Sequence, residues 1–260
     1  MIVESSHIDL PTPSGGGGGG ASTSATMRVH IHEPARASGP ERSPTLVLYP
    51  EIYQETAPIR RAALRFAGQG YLVAVPEIFH EHEPPGTALT YDTEGTEKGN
   101  RYKYATALAT YDADIRAAID LVRDHPRGTG KVGVVGFCLG GHLALRAALS
   151  PYVIATACFY PTDIQGDTLG AGKASDTKAR MKEIHGELLM VFGRQDPHVP
   201  DEGRRVIYDA LAAANVRFSW HEVNAVHAFM RDEGPRFDPT LAALGYALAL
   251  EMFERTLKRP

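Results

Sequence analysis

The chain has 260 residues, 43% of them hydrophobic, and carries a formal charge of −4 with 11 histidines and two cysteines. That is enough apolar material for one large core in a single domain spanning residues 1–260, and the charge lacks the basic footprint that nucleic acid or an anionic membrane surface requires. Two cysteines make no disulfide framework, no leader-like apolar stretch opens the sequence, and no apolar run approaches the about 18 residues of a membrane span, so the expected setting is the cytoplasm.

Residues 3–10 and 27–32 read as two strands, separated by a Pro-Ser segment and six consecutive glycines at 15–20. The glycine run is expected to be a surface loop, because a phosphate cradle needs a following helix and usually a lysine at fixed spacing. His30 and His32 fall on one face of the second strand, and an edge strand with partly exposed histidines is expected there rather than a metal site. Residues 45–49 form the third strand and lead into Pro50-Glu51-Ile52-Tyr53; a helix over 58–68 and a strand over 71–75 complete a βαβ unit, which implies parallel strands. Residues 76–101 are polar and rich in Gly, Glu and Thr, and read as a long rim loop beginning with His80-Glu81-His82-Glu83. A helix follows over 111–123.

The stretch Lys131 to His142 is where a buried strand, Val132 to Val135, meets a Leu- and Ala-rich helix through Gly136-Phe137-Cys138-Leu139-Gly140. Small residues on either side of a nucleophile mark the sharp strand-to-helix elbow that presents one side chain above a sheet, here a thiol. The elbow leaves the Leu139 amide free for an oxyanion and sets Cys138 at a helix N-terminus, which favours a thiolate. Further strands at 154–159, 188–192 and 217–222 alternate with helices at 176–184, 201–213 and 239–257, the pattern of a mostly parallel sheet covered on both faces. Cys138, Asp196 and His227 each follow a strand, so one sheet edge gathers a nucleophile, a carboxylate and a base in that order. The chemistry needs all three, because a thiol takes its proton-accepting partner from imidazole and imidazole takes its tautomer from a carboxylate.

From about residue 44 to 253 the sequence resembles the dienelactone hydrolases (carboxymethylenebutenolidases). The resemblance is carried by Pro50-Glu51-Ile52, by Gly136-Phe137-Cys138-Leu139-Gly140-Gly141, by Gly193-x-x-Asp196-Pro197-x-Val199-Pro200 and by His227-Ala228-Phe229-x-Arg231. It implies an α/β-hydrolase fold and cofactor- and metal-free hydrolysis of a lactone or activated ester through a cysteine acyl-enzyme. It also implies that Glu51 contacts the resting thiol, that the Ile52 amide joins Leu139 in the oxyanion hole, and that Arg231 pairs with Glu51 or an acidic substrate. The family arginine that clamps a substrate carboxylate after the fourth strand is missing, and Glu81 follows His80 there. Neutral substrates are therefore expected to be preferred, with the chain a monomer or weak homodimer acting on a small lactone or ester. Hydrolysis of another ester, thioester or small amide is the alternative, and a non-catalytic ligand-binding member of the fold is the alternative of another class.

Overall fold

The computed structural model describes residues 1–12, 25–37 and 39–259. The strands are β1 (Val3–Thr12), β2 (Ala25–Pro34), β3 (Ser43–Tyr49), β4 (Leu72–Pro76), β5 (Gly128–Phe137), β6 (Val153–Phe159), β7 (Glu187–Gly193) and β8 (Phe218–Val223). They form one eight-stranded sheet in the order β1-β2-β4-β3-β5-β6-β7-β8. From β4 through β8 neighbours run parallel, while β1 and β2 join as an antiparallel hairpin whose second strand also pairs antiparallel with β4. The glycine run that connects this hairpin lies outside the described residues.

Alternation along the strands sends side chains to two apolar layers, as the period of two demands. On β3, Val47 and Tyr49 enter one layer and Leu46 and Leu48 the other. The first layer is closed by α3 (Leu108–Arg123), α4 (Leu139–Ala147) and α6 (Asp201–Ala213). The second is closed by α1 (Ala57–Gly68) and α7 (Pro239–Phe253), where the rings of Phe66 and Phe253 meet edge to face at 6.0 Å. Each fully buried ring of this kind contributes about 1.5–3 kcal/mol relative to exposure, so the two layers fix the sheet firmly beneath the loops at its C-terminal edge.

Three expectations are corrected. The polar stretch after β4 is a loop only as far as Asp92; the rest is a helix, α2 (Thr93–Ala105), whose first turn is capped by Asp92 accepting from the Gly95 amide at 2.8 Å. Its buried positions are Gly95, Gly99 and Lys103, and a methyl group added at Gly99 would collide with the Ile52 carbonyl, so α2 lies directly against the Glu51-Ile52 turn. The start of the loop before α2 is packed: His80 is buried and hydrogen-bonded to Asp114 at 2.9 Å, His82 stacks on Tyr102 and bonds to the Thr106 hydroxyl, and the Phe79 amide donates to Gln54. Nor is β2 an edge strand. It lies between β1 and β4, His32 is buried, and His30 and His32 both reach Glu55, at 2.8 and 3.0 Å. Among the described residues no group of three or more His, Cys, Asp or Glu side chains is placed to hold a metal, and no helix is long and apolar enough to cross a membrane.

Candidate active site

The elbow takes the shape that its small residues allow. Cys138 has φ 57° and ψ −120°, a conformation that costs a non-glycine residue about 1–3 kcal/mol and persists only where its surroundings hold it. They do: the Cys138 amide donates to the Phe159 carbonyl at 3.0 Å, and the Cys138 carbonyl accepts from the Gly141 and Thr162 amides at 3.0 and 3.3 Å. A side chain at Gly136 would run into the Gly140 carbonyl, and one at Gly140 into the carbonyls of Tyr49 and Pro50. That close approach sets the N-terminus of α4 beside the turn after β3. The Leu139 and Ile52 amides there donate to no carbonyl among the described residues, which leaves two donors for an oxyanion.

At the ends of β7 and β8 the chain positions a buried acid and base. His227 Nδ1 lies 2.6 Å from Asp196 Oδ2, and the other Asp196 oxygen accepts from the His198 amide at 2.8 Å. The opposite side of the imidazole meets Cys138. Burial alone would lower the His227 pKa, but the Cys138 thiolate and the Asp196 carboxylate outweigh it and raise it to about 10. His227 is thus held toward its protonated form beside the Cys138 sulfur.

Glu51 is also buried. Burial raises its carboxyl above the ordinary range, against the opposing pull of Arg231 and His227, and the Tyr91 hydroxyl donates to it at 3.4 Å. The Arg231 guanidinium lies 3.7 Å from Glu51 and over the Tyr91 ring at 4.3 Å. Cys138, His227, Glu51, Ile52 and Arg231 all line one cleft of about 570 Å³, and Asp196 stands directly behind His227. Glu81 does not line it. His80 turns inward to Asp114, and its neighbour Glu81 is exposed.

Several cleft residues escaped the sequence reading. The α2 helix brings Thr96, Asn100, Lys103 and Tyr104, the loop after β6 brings Asp163, and the segments after β7 and β8 bring His198 and Arg236. Lys103 Nζ is 3.0 Å from Asp163, which also accepts from the Thr162 and Tyr104 hydroxyls at 2.7 and 3.2 Å. Burial would raise the Asp163 pKa, yet these partners hold it below its ordinary value. The two glycines four apart in α2 were the available signal for that helix, since such spacing lets a helix face approach backbone closely.

Residues 27–257 match the model of the dienelactone hydrolase family. The chain is 40% identical over 240 residues, 89% of its own length and 88% of the relative's, to a Saccharomyces cerevisiae protein provisionally assigned as a carboxymethylenebutenolidase. It is 30% identical over 216 residues to the carboxymethylenebutenolidase of Pseudomonas putida, covering 82% of this chain and 85% of that one. Its fold resembles the crystal structure of a provisionally assigned dienelactone hydrolase from Klebsiella pneumoniae, with a TM-score of 0.77 at 21% identity, covering 97% of this chain and 99% of that one.

Proposed function

The chain belongs to the dienelactone hydrolase family and is an ester hydrolase of that kind, and on this premise we propose that it opens a lactone or cleaves an activated ester through a thioester on Cys138. The observation that carries the mechanism is His227, tied to Asp196 at 2.6 Å on one side and facing Cys138 on the other. The Cys138 thiolate adds to the substrate carbonyl and forms a C–S bond. The negative oxygen enters the space between the Leu139 and Ile52 amides, where one such donor is worth about a hundredfold or more in rate. The C–O bond then breaks and the departing oxygen takes a proton from His227. In the second half, His227 draws a proton from water, the hydroxide adds to the thioester, and the acid leaves as the thiolate returns. Glu51 serves as the neighbour that helps deprotonate the resting thiol, with Arg231 compensating its charge.

The cleft also bears on substrate charge. Glu81 does not line the cleft and so is not placed there to repel a substrate carboxylate. Of the three Lys and Arg side chains that line the cleft, Lys103 is matched by Asp163 and Arg231 faces Glu51, while Arg236 makes no ion pair among the described residues. A carboxylated lactone or ester is therefore accepted, with Arg236 as its outer partner. Because Arg236 is exposed, its pairing is screened, and Arg236→Ala is expected to lower kcat/KM for the carboxylated compound about fivefold relative to a neutral analogue, less at high salt. A paired comparison of one lactone with its carboxylated analogue checks this. Preference for the neutral compound in the wild type, with a ratio that Arg236→Ala leaves unchanged, would remove the anionic half of the proposal.

A further inference from the structure

His198 is exposed and differs from the histidines packed into the fold. His30, His32, His80, His82 and His142 each place at least one ring nitrogen in a hydrogen bond. His198 has no ring hydrogen bond among the described residues, although its backbone is held on both sides: its amide donates to Asp196 at 2.8 Å and its carbonyl accepts from the Gln165 side chain at 2.9 Å. Its ring lines the cleft and meets the His227 ring edge to face, with centroids 4.6 Å apart. A side chain whose backbone is fixed and whose ring lines a cleft without a hydrogen-bond partner of its own is arranged for a ligand. The position beside His227 identifies which part of the ligand, because the group that must reach the His227 proton is the oxygen leaving the carbonyl.

We propose that His198 contacts the leaving group, its ring N–H donating a hydrogen bond to the oxygen that departs as the Cys138 thioester forms. The inference rests on the thioester mechanism above. As the C–S bond forms and the C–O bond breaks, the bonding pair of the broken bond goes to that oxygen. His198 steadies the developing charge, and the proton itself comes from His227. Burial first, and the neighbouring His227 charge second, lower the His198 pKa, so the ring keeps one donor and one acceptor nitrogen at neutral pH. Being exposed to the cleft and outside the core, it tolerates substitution without loss of the fold.

The test uses butyrate esters that share an acyl group and differ in leaving group, 4-nitrophenyl against 4-methoxyphenyl, with kcat/KM read for wild type, His198→Ala and His198→Asn. The poorer leaving group needs the hydrogen bond more, so His198→Ala should lose about tenfold or more on the methoxyphenyl ester but less than about threefold on the nitrophenyl ester. His198→Asn, which keeps a donor, should recover most of the difference. Equal losses on both esters, no loss on either, or an Asn variant as poor as the Ala variant would overturn the proposal. Iodoacetamide labelling of the wild type separates the two levels: a sluggish Cys138 sinks the thioester mechanism and this inference with it, whereas rapid labelling with equal ester losses sinks this inference alone.

Discussion

His30 and His227 are both held by carboxylates, and only one of the two lines the cleft. His30, opposite Val75 near the C-terminal end of β4, lies between Glu55 and Glu77 with both ring nitrogens 2.8 Å from a carboxylate oxygen. Burial would lower its pKa, but the two glutamates raise it to about 9. His227 is raised further, to about 10, against the same opposing burial. The difference is in the second partner: His30 meets another carboxylate, so each ring nitrogen has a carboxylate of its own, while His227 meets the Cys138 sulfur in a cleft. A perturbed histidine with an acid beside it is therefore not yet a site; the nucleophile and the open volume make it one.

The largest expected effect separates the two directly. Cys138→Ala and His227→Ala should each lower kcat by about a thousandfold or more, and the double variant should be hardly worse than either, because nucleophile and base work as a unit. His30→Gln should leave kcat within about twofold while lowering stability, since breaking one partner out of a buried pair costs roughly 3 kcal/mol. If His30→Gln cost as much activity as His227→Ala, the contrast between a structural and a reacting histidine would fail. Steady-state kinetics and urea unfolding on the same preparations decide it.

A smaller effect sharpens the contrast through pH. His30 has its folded pKa raised from 6.5 to about 9, so its stabilisation is fully present below pH 6.5 and is lost as pH rises through about 9. Glu55, which burial would raise but His30 and His32 lower from 4.5 to about 2, gives stabilisation that is present above pH 4.5 and lost as pH falls toward 2. The wild type should be most stable with respect to this cluster between pH 4.5 and 6.5. Urea midpoints across pH 5 to 10 should fall on the alkaline side in the wild type and lie flatter in His30→Gln. Parallel curves for the two proteins would contradict the assignment.

The same two regions show what was legible before the structure. Strand periodicity and glycine spacing were enough to read the β5 elbow, because sterics dictate both; the order of Cys138, Asp196 and His227 follows from strands that end on one edge. The His30 cluster was misread as an edge because Glu55 and Glu77 are remote in sequence and the hairpin's docking onto β4 leaves no local signature. The α2 helix was missed for a related reason: its buried face is Gly95, Gly99 and Lys103, so no apolar repeat marks it, and Lys103 is tolerated inside only because Asp163 lies 60 residues further along the chain. Glu81 was placed in the cleft on the strength of its position after β4, but the His80–Asp114 bond decides which way that turn faces.

The most direct test of the central claim is to quench the enzyme during turnover of a slowly deacylating aryl ester and map the adduct by peptide mass spectrometry. The account predicts one acyl group, on the peptide carrying Cys138 and labile to hydroxylamine, and none on Cys158, which is fully buried and whose thiol burial pushes up in pKa. Turnover with no adduct on Cys138, or undiminished turnover in Cys138→Ala, would contradict it.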